Sequence, residues 1–225
     1  MKKAIVVGKG PSVQQIPAWT DHSIVALNEA TIYCPRVDYL FVADIETLDN
    51  ISMEEMLKVD TLVIPAHPWI SNRQYPDLTY LDLLARAPGV NKFIVYEGRL
   101  ENPEIEPFPW LPRISDTVST GDTAIEWLLQ QNYTQFVLSG LDPSGGYIQR
   151  SMNLAERLNT SQQLSLQCPS CQFEINADVS VKHACATPQP QEWYRAQYQV
   201  LVDRIESNQA TYQRLGDMAS CELQL

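Results

Sequence analysis

The amino-acid sequence predicts an α/β fold in which a parallel sheet is covered by helices on both faces, giving three layers. Short apolar runs, rich in β-branched and aromatic residues, alternate with helix-compatible segments along the first half of the chain. These runs are continuous rather than alternating between apolar and polar residues, which is typical of strands buried on both faces. A length of 225 residues is within the range of a single domain, so residues 1–225 are expected to form one.

The first half of the chain supplies five predicted strands and three predicted helices. The strands are expected at residues 3–7, 23–27, 38–42, 61–64 and 92–96. The helices are expected near residues 28–34, 52–58 and 77–86. A stretch with four prolines follows at residues 102–112, and the pattern then resumes with a helix at 123–131 and a strand at 135–138.

The last third of the chain is predicted to hold a small lid and a long helix. Residues 143–150 are loop-like, 151–158 helical and 164–166 a short strand, and residues 143–160 form the candidate lid. A C-terminal helix is predicted over residues 191–215, ended by Gly216. Its apolar stripe is expected to pack on the sheet, with a homo-oligomer interface or a membrane-docking face as the alternative. The stripe consists of Tyr194, Tyr198, Leu201, Ile205, Tyr212 and Leu215.

Composition and charge exclude several classes of partner. The chain carries 16 Lys+Arg against 27 Asp+Glu, a net charge of −11, and Lys2-Lys3 is its longest basic run. Nucleic acid is therefore not expected as a partner, since phosphate backbones are bound by clustered cations. No stretch approaches the ~18 apolar residues of a transmembrane segment, and a cytoplasmic protein is expected. The five cysteines, an odd number, are expected to be reduced thiols.

The most informative motif is the turn after the first strand, Gly8-Lys9-Gly10-Pro11-Ser12. Two glycines after a buried strand permit a close approach of the backbone to an anion, and a following helix start offers unpaired N–H groups. Ser12 suits a helix cap or a phosphate donor, and Lys9 could supply positive charge to a phosphate. The motif lacks the third glycine of the dinucleotide fingerprint. A phosphate cradle and a plain tight turn remain equal alternatives for this motif.

Polar residues at other strand ends point to the same edge of the sheet. Asn28 and Asp44 follow the second and third strands, where ligands of open α/β sheets bind, and each also suits a helix cap. Further along the chain, Ser119-Thr120-Gly121 opens a helix, and the next strand runs into Gly140-Leu141-Asp142. These two segments offer a second anion contact.

Residues 1–16 and 119–147 resemble the bacterial sialyltransferases of glycosyltransferase family 42. Members of that family begin with a basic pair, an apolar strand and Gly-x-Gly-Pro-Ser, and later carry a Ser-Gly helix start and a strand ending in Ser-Gly-Ile-Asp. The resemblance covers residues 1–50 and 115–170, and a related group includes archaeal 6-hydroxymethylpterin pyrophosphokinases.

The resemblance implies a Rossmann-like transferase that uses CMP-sialic acid or another nucleotide sugar, with a glycan acceptor and without a metal or other cofactor. It places Gly8, Gly10, Pro11 and Ser12 against the nucleotide, Asn28 and Asp44 at cytidine and ribose, and Ser119, Thr120 and Gly121 near the phosphate or sugar. It also implies a lid tyrosine on the leaving phosphate, matched by Tyr147, and a histidine general base. The first candidate for the base is His183, which is nearer the lid in sequence than the second candidate, His67, and a purely structural role is the alternative for each.

Other interpretations remain open. Asp44 and Asp142 would be metal ligands in a pyrophosphokinase-like enzyme that uses ATP and magnesium, and Asp44-Ile45-Glu46 is a weak match to a metal-binding Asp-x-Asp. A catalytically inactive member of the fold is the third hypothesis.

Two further segments have a structural and a functional interpretation. Cys168, Cys171, His183 and Cys185 are zinc-ligand types, but the His-x-Cys spacing is uncommon, and a zinc site is not the favoured interpretation. Phe108 and Trp110 are expected to pack in a surface loop, with an acceptor site as the alternative.

Overall fold

The structure is a computed structural model of the 225-residue chain. It describes residues 1–10, 12, 13, 16, 20–43, 45–70, 73–74, 87–100, 105–114, 117–142, 166–167, 174–175 and 191–214.

A seven-stranded parallel sheet forms the centre of the described chain, which confirms the predicted α/β, Rossmann-like fold. The seven strands are β1 (Lys2–Val7), β2 (Ser23–Leu27), β3 (Val37–Phe41), β4 (Val59–Pro65), β7 (Lys92–Tyr96), β8 (Tyr133–Ser139) and β11 (Thr211–Arg214). Their order in the sheet is β11-β8-β1-β2-β3-β4-β7. Two small antiparallel pairs lie outside this sheet: β5 (Trp69–Ile70) with β6 (Arg73–Gln74), and β9 (Leu166–Gln167) with β10 (Glu174–Ile175).

Alternate residues of each central strand enter two separate cores, one on each face of the sheet. In β1, Ile5 and Val7 belong to one core, and Ala4 and Val6 belong to the other. All four side chains are at most 3% exposed, which explains why the strand sequence is continuously apolar. The expected burial on both faces is therefore confirmed.

Different helices cover the two faces. The core of Ile5 and Val7 is covered by two 3-10 helices (Asn28–Tyr33 and Ile45–Asn50) and the short helix α1 (Met53–Met56). The opposite core is covered by α2 (Thr120–Gln130) and α3 (Gln191–Ser207). Ser52 caps α1 with a capping box that includes Glu55, and Ser119 caps α2. The three-layer arrangement places all of these helices around one sheet.

The C-terminal helix ends earlier than the sequence pattern predicts. α3 stops at Ser207, a turn with Gln209 at φ 56° follows, and residues 211–214 form the edge strand β11 beside β8. Leu201 and Ile205 are buried as predicted, but Tyr212 lies in the strand and pairs with Phe136. The sequence pattern places Tyr212 on the stripe because it lies seven residues, about two helical turns, after Ile205. Thr211 and Tyr212 are, however, residue types that favour strands.

Several predicted elements lie outside the described residues. These are the helices at 77–86 and 151–158, the candidate lid at 143–160, and Gly216. No helix in the described part of the chain is long and apolar enough to cross a membrane.

Candidate functional site

The topology selects one position on the sheet as the place for a ligand. From β1 the chain proceeds through β2, β3, β4 and β7 on one side, and it then returns to place β8 on the other side of β1. Ligands of open parallel sheets bind outside the carboxyl ends of the strands at such a reversal. Gly8 and Gly140 are the residues that directly follow β1 and β8.

The two glycine turns after β1 and β8 pack directly against one another. The Gly8 N–H donates to the Ser139 carbonyl at 2.7 Å, and the Gly10 N–H donates to the Gly140 carbonyl at 2.8 Å. A Cβ added to Gly10 would lie 2.8 Å from the Gly140 carbonyl oxygen, which is too close for a side chain. Both glycines of the first turn are therefore explained by a close approach between two parts of the chain's own backbone.

A carboxylate of the chain occupies the donors of the first turn. Asp142 Oδ2 accepts from the Ser12 N–H at 3.0 Å and from the Ser12 hydroxyl at 2.9 Å. The Ser12 Oγ in turn accepts from the Gly140 N–H at 3.2 Å. The anionic group at this turn is therefore Asp142 of the chain itself. We call these contacts the glycine interlock, formed by Gly8, Gly10, Ser12, Gly140 and Asp142.

The charge of Lys9 is neutralised within the chain. It is 8% exposed and forms an ion pair with Glu29, whose Oε1 also accepts from the Asn50 side chain at 3.1 Å. A buried ammonium must be paired because desolvation of a lone charge is very unfavourable. The pair fixes the first turn to the segment that follows β2.

Asn28, the residue between β2 and Glu29, has an unusual backbone and an unsatisfied side chain. Its φ of 52° places it in the left-handed region, where asparagine is tolerated better than most residues. Its Oδ1 is buried and has no hydrogen-bond partner among the described residues. Buried polar atoms are nearly always hydrogen-bonded, so Asn28 is an exception that requires an explanation.

The start of α2 lies against the same edge of the sheet. Ser119 Oγ accepts from the Asp122 N–H at 3.2 Å, which caps the helix. An added Cβ on Gly121 would lie 3.5 Å from both Leu27 and Leu141, the residues beside Asn28 and Asp142. The structure therefore brings Ser119, Thr120 and Gly121 next to the ends of β2 and β8.

A buried ion pair holds the first turn of α2 to α3. Asp122 is fully buried and accepts from Arg204 Nε at 2.5 Å and from Arg204 Nη2 at 3.1 Å, while Arg204 Nη1 donates to Glu126 at 2.6 Å. Burial alone lowers the pKa of Arg204, but the hydrogen bonds and charges of the two carboxylates outweigh it, so the pKa is raised. The guanidinium stays charged and fixes the direction of α2.

A second polar cluster, at the carboxyl ends of β4 and β7, contains a residue that the sequence analysis did not single out. His67 follows β4, Glu97 follows β7, and both are 2% exposed. The Nε2 of His67 lies 3.7 Å from Glu97 Oε2. Glu97 follows the same pattern as Asn28, a polar residue directly after a buried strand, and that pattern could have identified it.

Several predicted site residues lie outside the described part of the chain, and their assignments stay predictions. These are Pro11, Asp44, Tyr147, His183, Cys168, Cys171 and Cys185. Among the described residues, no group of three or more His, Cys, Asp or Glu side chains is arranged to hold a metal ion.

Comparisons with protein-family models, curated proteins and solved structures give no match to this chain. The function is therefore inferred from the site itself.

Proposed function

We propose that the protein is a glycosyltransferase resembling family 42, which transfers a sugar from a CMP-linked donor to a glycan hydroxyl without a metal. The observation that carries the proposal is Asn28, with its left-handed backbone and its unpartnered, buried Oδ1 next to the topological reversal of the sheet. The assignment of CMP as the nucleotide comes from the resemblance of the two glycine-containing segments.

The geometry of Asn28 favours a ligand that donates a hydrogen bond. A left-handed conformation costs about 1–2 kcal/mol for most residues with a side chain and less for asparagine, and an unsatisfied buried acceptor costs about 1–3 kcal/mol. Such costs are found where the strained residue has a function. The exocyclic amine of cytosine and a ribose hydroxyl are both donors that would satisfy Oδ1.

The position of α2 supports a phosphate next to the nucleoside. Gly121 packs against Leu27, the residue before Asn28, and Ser119 caps a helix of 11 residues that begins at Thr120. The N-terminus of a helix attracts anions through its dipole and its N–H groups. A nucleotide with its base or ribose at Asn28 would therefore direct its phosphate towards α2.

A second candidate function is nucleotide binding without sugar transfer. The observation that favours it is the glycine interlock, in which Asp142 already occupies the Ser12 N–H and hydroxyl. A donor phosphate would have these groups only if Asp142 moved. Hydrolysis of the donor separates the two candidates, because a catalytically inactive member would bind the nucleotide and leave the donor intact.

The first experiment is a thermal-shift series with CMP, CDP, UDP, GDP and ATP, the last with and without magnesium. We expect CMP to raise the melting temperature most. Stabilisation by ATP only in the presence of magnesium would favour the pyrophosphokinase-like alternative, and no stabilisation by any nucleotide would refute nucleotide binding.

A matched pair of variants tests the role of Asn28. Asn28→Gly removes the side chain but keeps a backbone that accepts positive φ, and it should weaken CMP binding about tenfold through the loss of one buried hydrogen bond. The control is Asn132→Gly, since Asn132 also has a positive φ, 64°, but is exposed and precedes β8 at the opposite edge of the sheet. Equal CMP affinity in both variants would contradict the assignment of Asn28.

A further inference from the structure

A strap of residues 105–114 crosses the carboxyl ends of β4 and β7 and covers the His67–Glu97 pair. The strap is held by the backbone of Glu97, whose N–H donates to the Pro112 carbonyl at 2.8 Å and whose carbonyl accepts from the Ile114 N–H at 2.9 Å. Its middle is held by the Phe108 N–H, which donates to Glu97 Oε2 at 2.7 Å. Glu97 thus fixes both the end and the middle of the strap.

The carboxylate of Glu97 is left with one oxygen unsatisfied. Oε2 has the Phe108 N–H and lies 3.7 Å from His67 Nε2, whereas Oε1 is buried with no hydrogen-bond partner among the described residues. A carboxylate oxygen accepts two hydrogen bonds readily, and burying it without any is unfavourable. The carboxylate therefore has an acceptor position for a donor that the described chain does not supply.

Two aromatic rings of the strap lie next to the His67–Glu97 pair. The Phe108 ring stacks on the His67 imidazole, with centroids 4.9 Å apart and an angle of 17° between the planes. Trp110 lies 5.2 Å from Phe108 and is 74% exposed, the most exposed aromatic side chain among the described residues. The exposed indole of Trp110 and the buried carboxylate of Glu97 both contact Phe108. Ligand sites combine a flat apolar surface with a directed polar group in this way.

We propose that Trp110, Phe108 and Glu97 form a binding site for a sugar ring. The apolar face of the sugar would stack on Trp110, and one of its hydroxyls would donate to Glu97 Oε1. A neutral ring with hydroxyl donors at its edge satisfies both the indole face and the oxygen without adding charge.

The position of this site suits the acceptor of a glycosyltransferase, an assignment that rests on the proposed function. Adjacent strands are about 4.8 Å apart, so the ends of β2 and β7, which carry Asn28 and Glu97 and are three strand spacings apart, are separated by about 14 Å. A nucleotide sugar at Asn28 and an acceptor sugar at Glu97 would then occupy neighbouring parts of one edge. Because Glu97 Oε1 is covered, the sugar enters by displacing Phe108 from His67, while the backbone contacts at Pro112 and Ile114 hold the strap.

The test is saturation-transfer NMR of the full chain with four probes, the methyl glycosides of galactose, glucose, mannose and N-acetylglucosamine. We expect signal transfer to at least one of them, strongest for the protons of one ring face. Trp110→Ala should weaken this binding at least tenfold, and Glu97→Gln, which keeps the shape of the side chain, about tenfold. Leu57→Ala and Glu106→Gln are the controls, since Leu57 is 65% exposed and Glu106 is an exposed glutamate of the same strap, and both should bind as the unchanged protein does.

Each result supports or overturns a defined part of the proposal. No transfer to any probe, or equal transfer in Trp110→Ala, would overturn the sugar site, and undiminished binding by Glu97→Gln would overturn the role of Glu97. Circular dichroism of each variant shows whether it is folded, and the two conservative variants, Glu97→Gln and Glu106→Gln, are expected to be. CMP stabilisation without sugar binding would refute this site alone, whereas sugar binding without any nucleotide effect would refute the transferase and leave a sugar-binding protein.

Discussion

The glycine interlock leads to a quantitative prediction at Gly140, because this residue combines a left-handed backbone with a close contact to another backbone segment. Its φ is 66°, and an added Cβ would lie 2.5 Å from the Gly8 carbonyl oxygen and 2.8 Å from the Gly8 carbonyl carbon. Gly8 follows directly after the central strand β1, so it has little freedom to move away. The substitution Gly140→Ala therefore adds strain that the surroundings cannot relieve.

The size of the effect follows from three contributions. A positive φ costs alanine about 1–2 kcal/mol, and overpacking in a rigid environment costs about 1–3 kcal/mol. Alanine has a smaller conformational entropy than glycine in the unfolded chain, which stabilises the folded variant by about 0.4–1 kcal/mol. The net loss in the free energy of unfolding should be about 3 kcal/mol, equivalent to a fall in melting temperature of roughly 6–12 °C for a chain of this size.

Two other glycines separate the contributions. Gly89 has φ 89°, but its added Cβ would meet only the Leu57 side chain, which is 65% exposed and can rotate away, so Gly89→Ala should cost about 1 kcal/mol. At Gly98 the nearest atom would be 3.5 Å away and no positive φ is involved, so Gly98→Ala should be nearly neutral. Urea unfolding followed by circular dichroism measures all three variants. A midpoint for Gly140→Ala at or above that of Gly89→Ala would show that the two turns do not interlock.

Two further predictions concern buried groups. Arg204→Met should destabilise the protein by about 3–5 kcal/mol in urea unfolding, because it leaves the fully buried Asp122 without its cation. The control is Arg195→Met, which should change little because Arg195 is exposed. Similar unfolding midpoints for both variants would contradict the buried ion pair. Burial raises the pKa of the Cys34 thiol to about 12, so at pH 8 only about one thiol in 10⁴ is ionised, and Cys34 should resist iodoacetamide until the protein unfolds. Peptide mass spectrometry of native and denatured samples checks this, and rapid alkylation of Cys34 in the native protein would contradict it.

The central sheet could be predicted from the sequence because burial on both faces leaves a continuous apolar run. The runs at 23–27 and 92–96 coincide with β2 and β7, and the others are displaced by no more than two residues at either end. The edge strand β11 could not be found in this way, since its burial alternates between exposed and intermediate and gives no continuous run. The type of helix could not be predicted from the sequence either. The segment at 28–33 packs on the sheet and adopts a 3-10 rather than an α conformation.

The residues at the site could be predicted in part, but their partners could not. The rule that polar residues after parallel strands share one edge placed Asn28, Gly8 and Asp142 correctly at that edge. The sequence carried no sign that Asp142 bonds to Ser12 or that Lys9 pairs with Glu29, since these contacts join residues 130 and 20 positions apart. The spacing of the glycines therefore predicts that another group approaches the backbone of the turn closely. Which group this is depends on the tertiary structure.

The interlock and the ion pairs together determine where a nucleotide could gain its binding energy. Among the described residues, two buried or partly buried cations at this edge, Lys9 and Arg204, are bound by Glu29 and by Asp122 with Glu126, so their charge is neutralised within the protein. A phosphate at this edge would have to rely on the start of α2, because helix termini bind anions without a free cation. The same ion pairs hold that helix start and the Asn28 segment in fixed positions relative to β1. An acidic chain can in this way hold a nucleotide with preorganised amide groups, and Asn28 is the described residue whose hydrogen bonding such a ligand would complete.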